Sequence, residues 1–411
     1  MVKSKTQLAG IDVGTTKVTV VIGEIEKEHS VRLTGIGCTP CKGMRKGVLV
    51  NLESTCRSLR AAVQKAEAMA GVEIENAFIS VAGPHIRSFN SRGGVAISGR
   101  DNEVTGEDIH KVLVAARAVS IPQDREIIHV LPQEYTLDGQ TGIDEPRGLS
   151  GHRLLANVHV VTGAEGTIQN LVTCINRLGI EVIEVILGQL ASADLVLTPD
   201  ERQLGALLID IGGGTTDVVA YEKNAIWHTS VLPVGGDNFT NDIAVGLRTP
   251  IPDAERIKIT SGCSASDLVD ADEVLEVPSV GGRRGRVLSR RVLCEILEPR
   301  AEEIFTLVSE DVKRSGCDRN LKAGAVITGG GSLLDGVTAV AERTLEMPVR
   351  RGVPDRVVGL VDVSGNPTFA TAAGLLSYGA RNGGRPRRNN LATGLLLDVG
   401  RRMRDWLGAH F

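Results

Sequence analysis

Leu8-Ala-Gly-Ile-Asp12-Val-Gly14-Thr15-Thr16-Lys17-Val-Thr-Val-Val-Ile22 returns, about 200 residues later, as Ala206-Leu-Leu-Ile-Asp210-Ile-Gly212-Gly213-Gly214-Thr215-Thr216-Asp217-Val-Val-Ala-Tyr221. Both run from apolar residues into Asp, one more apolar residue, Gly, a Gly/Thr turn and β-branched residues. That is the pattern of a β-hairpin. Each turn carries backbone N–H groups and threonine hydroxyls. A hairpin repeated at domain spacing implies two related α/β domains facing each other.

Around the hairpins the periodicity changes. Residues 51–70 place Leu52, Leu59, Ala62, Val63 and Ala66 at helical spacing, and Phe78-Ile-Ser-Val-Ala82 reads as a strand. Residues 84–162 read as an inserted block with strands at 94–98, 127–131 and 157–161 and a helix around 105–119. A helix at 165–179, a strand at 181–187 and a further helix follow. Residues 240–306 read as a second, charged insertion containing Gly281-Gly282-Arg283-Arg284-Gly285-Arg286. A helix over 292–314 leads to the strand and turn Ala325-Val-Ile-Thr-Gly329-Gly330-Gly331-Ser332. The stretch 379–388, rich in Gly, Arg and Asn around Pro386, reads as a linker.

Composition narrows the function. With 411 residues and ~150 per domain, about three folding units are expected. A net charge of −4 and 3% aromatics argue against nucleic acid as a partner. No apolar run reaches the ~18 residues of a membrane span, and no signal peptide is expected. The cysteines, Cys38, Cys41, Cys56, Cys174, Cys263, Cys294 and Cys317, are scattered rather than framework-like, and suit a reducing compartment. The histidines show no paired zinc-ligand spacing.

The Gly/Thr turns suit a phosphate, because small residues let the backbone approach and successive N–H groups form an anion nest. Gly14, Thr15 and Thr16 would hold one side of a phosphate chain, and Gly212, Gly213, Gly214 and Thr215 the other, with Lys17 adding a charge. Asp12, Asp210 and Asp217 would repel a polyphosphate unless Mg²⁺ lies between, held by Asp12 and Asp210 through water. Gly329, Gly330 and Gly331 permit close approach of a nucleoside. The absence of GxxxxGK[ST] excludes a P-loop.

The tail has its own pattern. At ~100° per residue, Leu395, Leu396, Val399, Met403, Trp406 and Leu407 share one helical face, flanked by Arg401, Arg402 and Arg404 and closed by Phe411. This is the pattern of an interfacial helix; the alternative, a terminal helix packed on the protein's own core, is weakened by the preceding linker, which gives the helix reach. Arg283, Arg284, Arg286, Arg290, Arg291 and Arg300 form a dense basic stretch, readable as a solvated face or as a dock for carboxylates.

The order of these segments resembles the actin/Hsp70/sugar-kinase ATPase superfamily. In that resemblance the Asp12 and Asp210 turns correspond to its two phosphate segments and residues 328–332 to its adenosine segment. Leu187-Gly-Gln-Leu-Ala-Ser-Ala193 and Thr368-Phe-Ala-Thr-Ala-Ala-Gly-Leu375 correspond to its interdomain helices. Glu255 and Lys258 lie on a helix that would reach ribose and base, and Gly235 and Gly236 join the nucleotide set. Gln189 lies near the superfamily's water-orienting position without a fixed register, so no catalytic residue is assigned.

A narrower resemblance, to the bacterial cell-division FtsA family, rests on His129-Val-Leu-Pro-Gln-Glu-Tyr135, Gly148-Leu-Ser-Gly151, Val277-Pro-Ser-Val-Gly-Gly282, Glu298-Pro-Arg300 and the amphipathic tail. It implies an α/β, actin-like ATPase fold: two related domains around a nucleotide cleft, each with an inserted subdomain, plus a C-terminal amphipathic helix. The implied plan is domain 1A over 1–83, 163–197 and 361–380, with subdomain 1C over 84–162. Domain 2A covers 198–239 and 307–360, with subdomain 2B over 240–306. A linker over 381–394 and a membrane helix over 395–411 complete it. The resemblance further implies ATP and Mg²⁺ as cofactors, with ATP acting as a clamp, and self-association into filaments. The chain would be peripheral, on the cytoplasmic face of the inner membrane at the septum. Implied partners are the FtsZ C-terminal tail at Arg286, Arg290 and Arg300, and later division proteins at 1C. The alternatives of the same fold are a sugar-type kinase and a pilus-assembly homologue.

Overall fold

The computed structural model describes residues 7–26, 30–98, 101–270, 272–282, 284–360 and 363–381. Arg283, nearly all of the expected linker and the expected tail helix, including Leu395, Leu396, Val399, Met403, Trp406, Leu407 and Phe411, lie outside the described residues.

The first half opens with an antiparallel meander, β1 (Gln7–Val13), β2 (Lys17–Ile25) and β3 (Val31–Pro40). Both strands of its hairpin are buried almost throughout, which accounts for their aliphatic, β-branched composition. A short ribbon, β4 (Met44–Arg45) and β5 (Val48–Leu49), follows. Helix α1 (Leu52–Ala70) starts at Asn51, whose side chain accepts the Ser54 N–H, and ends on left-handed Gly71. It buries Thr55, Leu59, Ala62, Val63 and Ala66 as one stripe. Strand β6 (Asn76–Val81) then pairs parallel to β1.

The inserted block comes next: β7 (Arg87–Ala96), α2 (Gly106–Arg117), β8 (Arg125–Leu137), β9 (Gln140–Ile143) and β10 (Arg153–Ala164). Its sheet has the order β7-β10-β8-β9, with α2 covering one face and a core of its own around Leu113, Tyr135 and Leu154. The chain returns through α3 (Glu165–Asn176) and β11 (Glu181–Leu187), completing a five-stranded sheet of order β11-β6-β1-β2-β3. Helix α4 (Gly188–Val196) leads to the second half, and all nine of its residues are buried.

The second half repeats this frame. After α5 (Pro199–Leu204), a meander of β12 (Ala206–Ile211), β13 (Thr216–Glu222) and β14 (Ala225–Leu232) carries the second hairpin. The second insertion holds α6 (Gly236–Gly246), α7 (Ile251–Ser261) and a ribbon of β15 (Val274–Val277) and β16 (Arg286–Ser289). Then come α8 (Arg290–Ser315), β17 (Ala325–Thr328), α9 (Val337–Leu345), β18 (Val349–Arg351) and α10 (Ala370–Arg381). The sheet order β14-β13-β12-β17-β18 matches the first strand for strand, each meander being followed by two parallel strands. The frames differ in where they are interrupted: after β6 in the first half, after β14 in the second.

Two helices join the halves. α4 and α10 cross where a Cβ on Gly374 would lie 1.9 Å from the Ala191 carbonyl oxygen, so only glycine permits the contact. The inserted block also docks on β14. His159 Nε2 meets Thr229 Oγ1 at 2.9 Å, Ser88 Oγ donates to the Thr229 carbonyl at 2.7 Å and Gln133 Nε2 to the Ile226 carbonyl at 3.0 Å. Burial holds His159 neutral, its pKa pushed down to about 3.

Several expected boundaries move. Gly379 and Ala380 belong to α10 and are buried, and the helix runs to Arg381, which pairs with Asp194. A Cβ on Gly379 would fall 2.5 Å from the Phe78 ring, so this glycine serves close packing rather than a linker. Helix α8 begins at Arg290, two residues before expectation, because the Ser289 side chain accepts the Arg291 N–H; it ends at Ser315 and contains Pro299. The strand expected at 94–98 overlaps only the last three residues of β7, which begins at Arg87 and ends at Ala96. All seven cysteines are free thiols.

Candidate nucleotide cleft

Both hairpin turns face one cavity of ≈ 530 Å³ between the halves. That volume is within the usual range for small-molecule and cofactor sites. The first half contributes Asp12, Gly14, Thr15, Thr16 and Lys17. The second contributes Asp210, Gly212, Gly213, Thr215, Asp217, Gly236, Glu255, Lys258, Gly329, Gly330 and Gly331. Gly214 and Gly235 do not line the cavity. Their lack of a side chain serves packing, since a Cβ on Gly235 would lie 2.7 Å from the Gly212 carbonyl oxygen and one on Gly214 2.6 Å from Thr15 Oγ1.

The turns meet across the cleft. A Cβ on Gly213 would lie 2.4 Å from Thr16 Cγ2, so the backbone of one turn packs on the side chains of the other. Gly14 N–H donates to the Lys17 carbonyl and Gly212 N–H to the Thr215 carbonyl, closing both turns identically.

Three carboxyl groups gather beneath the turns. Ser80 Oγ donates to Asp12 Oδ1 at 2.6 Å, Thr371 Oγ1 to Asp210 Oδ2 at 3.1 Å and Thr215 Oγ1 to Asp217 Oδ2 at 3.4 Å. Burial, the largest cause for each, raises all three pKa values. Asp210 is pushed up to about 6, with the Asp12 charge adding to the effect. Asp217 is raised further from its ordinary value by the charges of Asp210 and Asp12. Its Oδ1 is buried without a hydrogen-bond partner. An unpartnered carboxylate oxygen beside two neighbouring carboxyl groups fits a hydrated Mg²⁺. Among the described residues no group of three His, Cys, Asp or Glu side chains could hold a metal ion directly.

Lys17 brings positive charge to Asp12 and Asp210. Its Nζ donates to the Thr368 carbonyl at 2.6 Å and lies 4.6 Å from the Phe369 ring centroid, and burial lowers its pKa. Lys258 Nζ donates to the Gly236 carbonyl at 3.0 Å and pairs with Glu255 at 2.7 Å, tying α7 to the start of α6. Gln189 does not line the cavity; it is fully buried, and its Nε2 donates to the Ser230 carbonyl at 3.2 Å.

Sequence reasoning missed the outer ring of the site. Gly47, Ser80, Ala82, Gly188, Thr368 and Thr371 also line the cavity. Thr368 and Thr371 fall within a quoted interdomain segment, but only the fold shows Thr371 bonded to Asp210 and the Thr368 carbonyl to Lys17. Away from the cleft, two of the arginines expected at a partner site are engaged internally. Arg300 Nε donates to Asp242 at 2.6 Å, and Arg290 NH1 to Glu273 at 2.7 Å. Arg286 donates to the Leu247 carbonyl from the edge of the exposed ribbon.

Comparison with known proteins agrees with this architecture. The family described as "Cell division protein FtsA" matches residues 207–374, and "SHS2 domain inserted in FTSA" matches residues 83–162. The chain is 50% identical over 378 residues to the cell division protein FtsA of Pseudomonas aeruginosa, covering 92% of this chain and 90% of that one. It is 39% identical over 413 residues to that of Escherichia coli K12, covering 98% of each. Among solved structures, the PilM-PilN type IV pilus biogenesis complex superposes with a TM-score of 0.64 at 14% identity, over 92% of this chain and 99% of that one. MreB5 of Spiroplasma citri bound to ADP gives 0.54 at 14% identity, over 90% and 94%. The fold is therefore that of the actin-like ATPases, and, on sequence identity across nine-tenths of its length, the chain belongs to the FtsA family of bacterial cell-division proteins.

Proposed function

We propose that the cleft binds Mg·ATP and that the ATP-bound chain is a filament-forming adaptor between FtsZ and the inner membrane. The observation that supports this best is the shared cavity. Its walls come from both halves, so a ligand touching both stabilises one relative position of the halves over others. Gly14, Thr15, Thr16 and Lys17 would hold phosphate from one side and Gly212, Gly213 and Thr215 from the other. Asp12 and Asp210 would hold Mg²⁺ through water, and Asp217 lies beside them. Glu255, Lys258, Gly329, Gly330 and Gly331 would receive the nucleoside. The cation supplies charge neutralisation, which these buried carboxylates require beside a polyphosphate.

The tethering parts rest on sequence pattern and family. The face formed by Leu395, Leu396, Val399, Met403, Trp406, Leu407 and Phe411 would enter the cytoplasmic leaflet of the inner membrane at the septum. One such helix binds weakly, and a filament multiplies it. The FtsZ C-terminal tail would dock near Arg286, Arg290 and Arg300, where the ribbon also exposes Val274 and Val287 to solvent. Later division proteins would meet the inserted block over 84–162. A sugar-type kinase would not need the tail.

The test is co-sedimentation of FtsZ with anionic liposomes. Pelleting of FtsZ should require this chain, ATP and residues 395–411 together. Equal pelleting without residues 395–411 would overturn the membrane role.

A further inference from the structure

The ribbon β4–β5 occupies a place that neither hairpin repeat accounts for. Its two-residue turn is Lys46–Gly47, both with positive φ, 49° and 74°. Turns of that kind are tight and fixed in direction. The tip is wedged against the first phosphate turn and the end of β6. Gly47 N–H donates to Thr15 Oγ1 at 3.0 Å, and a Cβ on Gly47 would lie 2.5 Å from the Ala82 carbonyl oxygen. The same tip reaches the second turn, because a Cβ on Gly214 would lie 3.0 Å from Lys46 Cα. Lys46 therefore stands where three turns meet, two of them from one half and one from the other.

Its position along the cavity matters. Gly47, Ser80 and Ala82 close the side where Ser80 bonds Asp12, whereas Glu255, Lys258 and Thr260 line it from α7. The ribbon is thus at the carboxylate and cation end, where the last phosphate of a bound chain belongs. Lys17 is engaged by the Thr368 carbonyl and the Phe369 ring, and Lys258 by Glu255. Lys46 is exposed and, among the described residues, has no carboxylate partner. Its side chain does not line the cavity, but its neighbour Gly47 does, and the four-carbon stem gives the ammonium reach toward that end.

We propose that β4–β5 is a lid on the terminal-phosphate end of the cleft and that Lys46 discriminates a nucleoside triphosphate from a diphosphate. Resting on the nucleotide reading above, the inference adds the residue that senses the third phosphate. A triphosphate brings one more anionic group to the three-turn junction, and Lys46 supplies the matching charge. A diphosphate leaves that place empty and gains nothing from Lys46.

The experiment uses the full chain, stripped of nucleotide, with displacement of a fluorescent ATP analogue by Mg·ATP and by Mg·ADP. Lys46→Ala and Lys46→Asn are compared with Lys46→Arg; Asn keeps the left-handed backbone comfortable while removing the charge. Both neutral variants should weaken ATP about tenfold or more and ADP less than about twofold, with Arg restoring most of the difference. Equal losses for ATP and ADP, or no loss for either, would overturn the assignment of Lys46. If the unsubstituted chain binds neither nucleotide, the nucleotide reading itself fails, and this inference with it.

Discussion

Replacing Asp210 by Asn should make the nucleotide-free protein more stable while weakening its grip on Mg·ATP. Asp210 is 7% exposed and sits within reach of Asp12 and Asp217. Its pKa rises from 3.8 to about 6 on folding, because burial and the Asp12 charge disfavour its ionised form. The protonated carboxyl is thus favoured in the folded state. Its stabilising contribution is complete below the unfolded value of 3.8 and is lost as pH rises through 6. Above that, holding the ionised group costs roughly 3 kcal/mol, at ~1.4 kcal/mol per pKa unit. An amide avoids that cost and still accepts from Thr371 Oγ1. Denaturant unfolding should therefore show Asp210→Asn ahead by about 3 kcal/mol near neutral pH, by about half that near pH 5, and by little near pH 4. Mg·ATP affinity should fall about tenfold or more, as one charge-assisted partner of the cation is lost. A variant no more stable than wild type near neutral pH would refute the reading of Asp210 as a carboxylate held at a cost in the nucleotide-free fold.

Two further outcomes test the proposed partners. Arg286→Glu with Arg300→Glu should weaken the FtsZ tail peptide by ~1–3 kcal/mol for each close charged bond lost, with ATP binding kept. Because Arg300 pairs with Asp242, a thermal melt must accompany that titration. At the tail, Trp406→Glu should abolish liposome binding at any salt, since burying a large apolar side chain is worth ~1.5–3 kcal/mol. Arg401→Ala with Arg402→Ala should matter only on anionic lipid at low salt. A larger loss from the arginine variant at high salt would exclude insertion.

The hairpins were legible because their chemistry is local. Asp, Gly and Thr stand within a few residues of one another, and burial of both strands forces the apolar runs on either side. The paired sheets followed from the repeat. What stayed hidden was held by distant partners. Ser80 and Asp12 are 68 residues apart, and Thr371 and Asp210 are 161 apart, so no window of sequence joins them. The start of β7, Arg87-Ser-Phe-Asn-Ser-Arg92, is too polar to read as a strand, yet Ser88 and Asn90 spend that polarity on the β14 backbone. Likewise a run of arginines shows its charge but not the carboxylates that fold back on it; Asp242 is 58 residues from Arg300.

The claim that matters most is that ATP is gripped from both halves, and Gly213 tests it most directly. At this position a Cβ alone would lie 2.4 Å from Thr16 Cγ2 of the facing turn. Titration of Mg·ATP into the nucleotide-free full chain and into Gly213→Val, with a thermal melt of each, separates site from fold. The account predicts saturable binding by the first and none by the second, with both chains folded. Undiminished binding in Gly213→Val would contradict it.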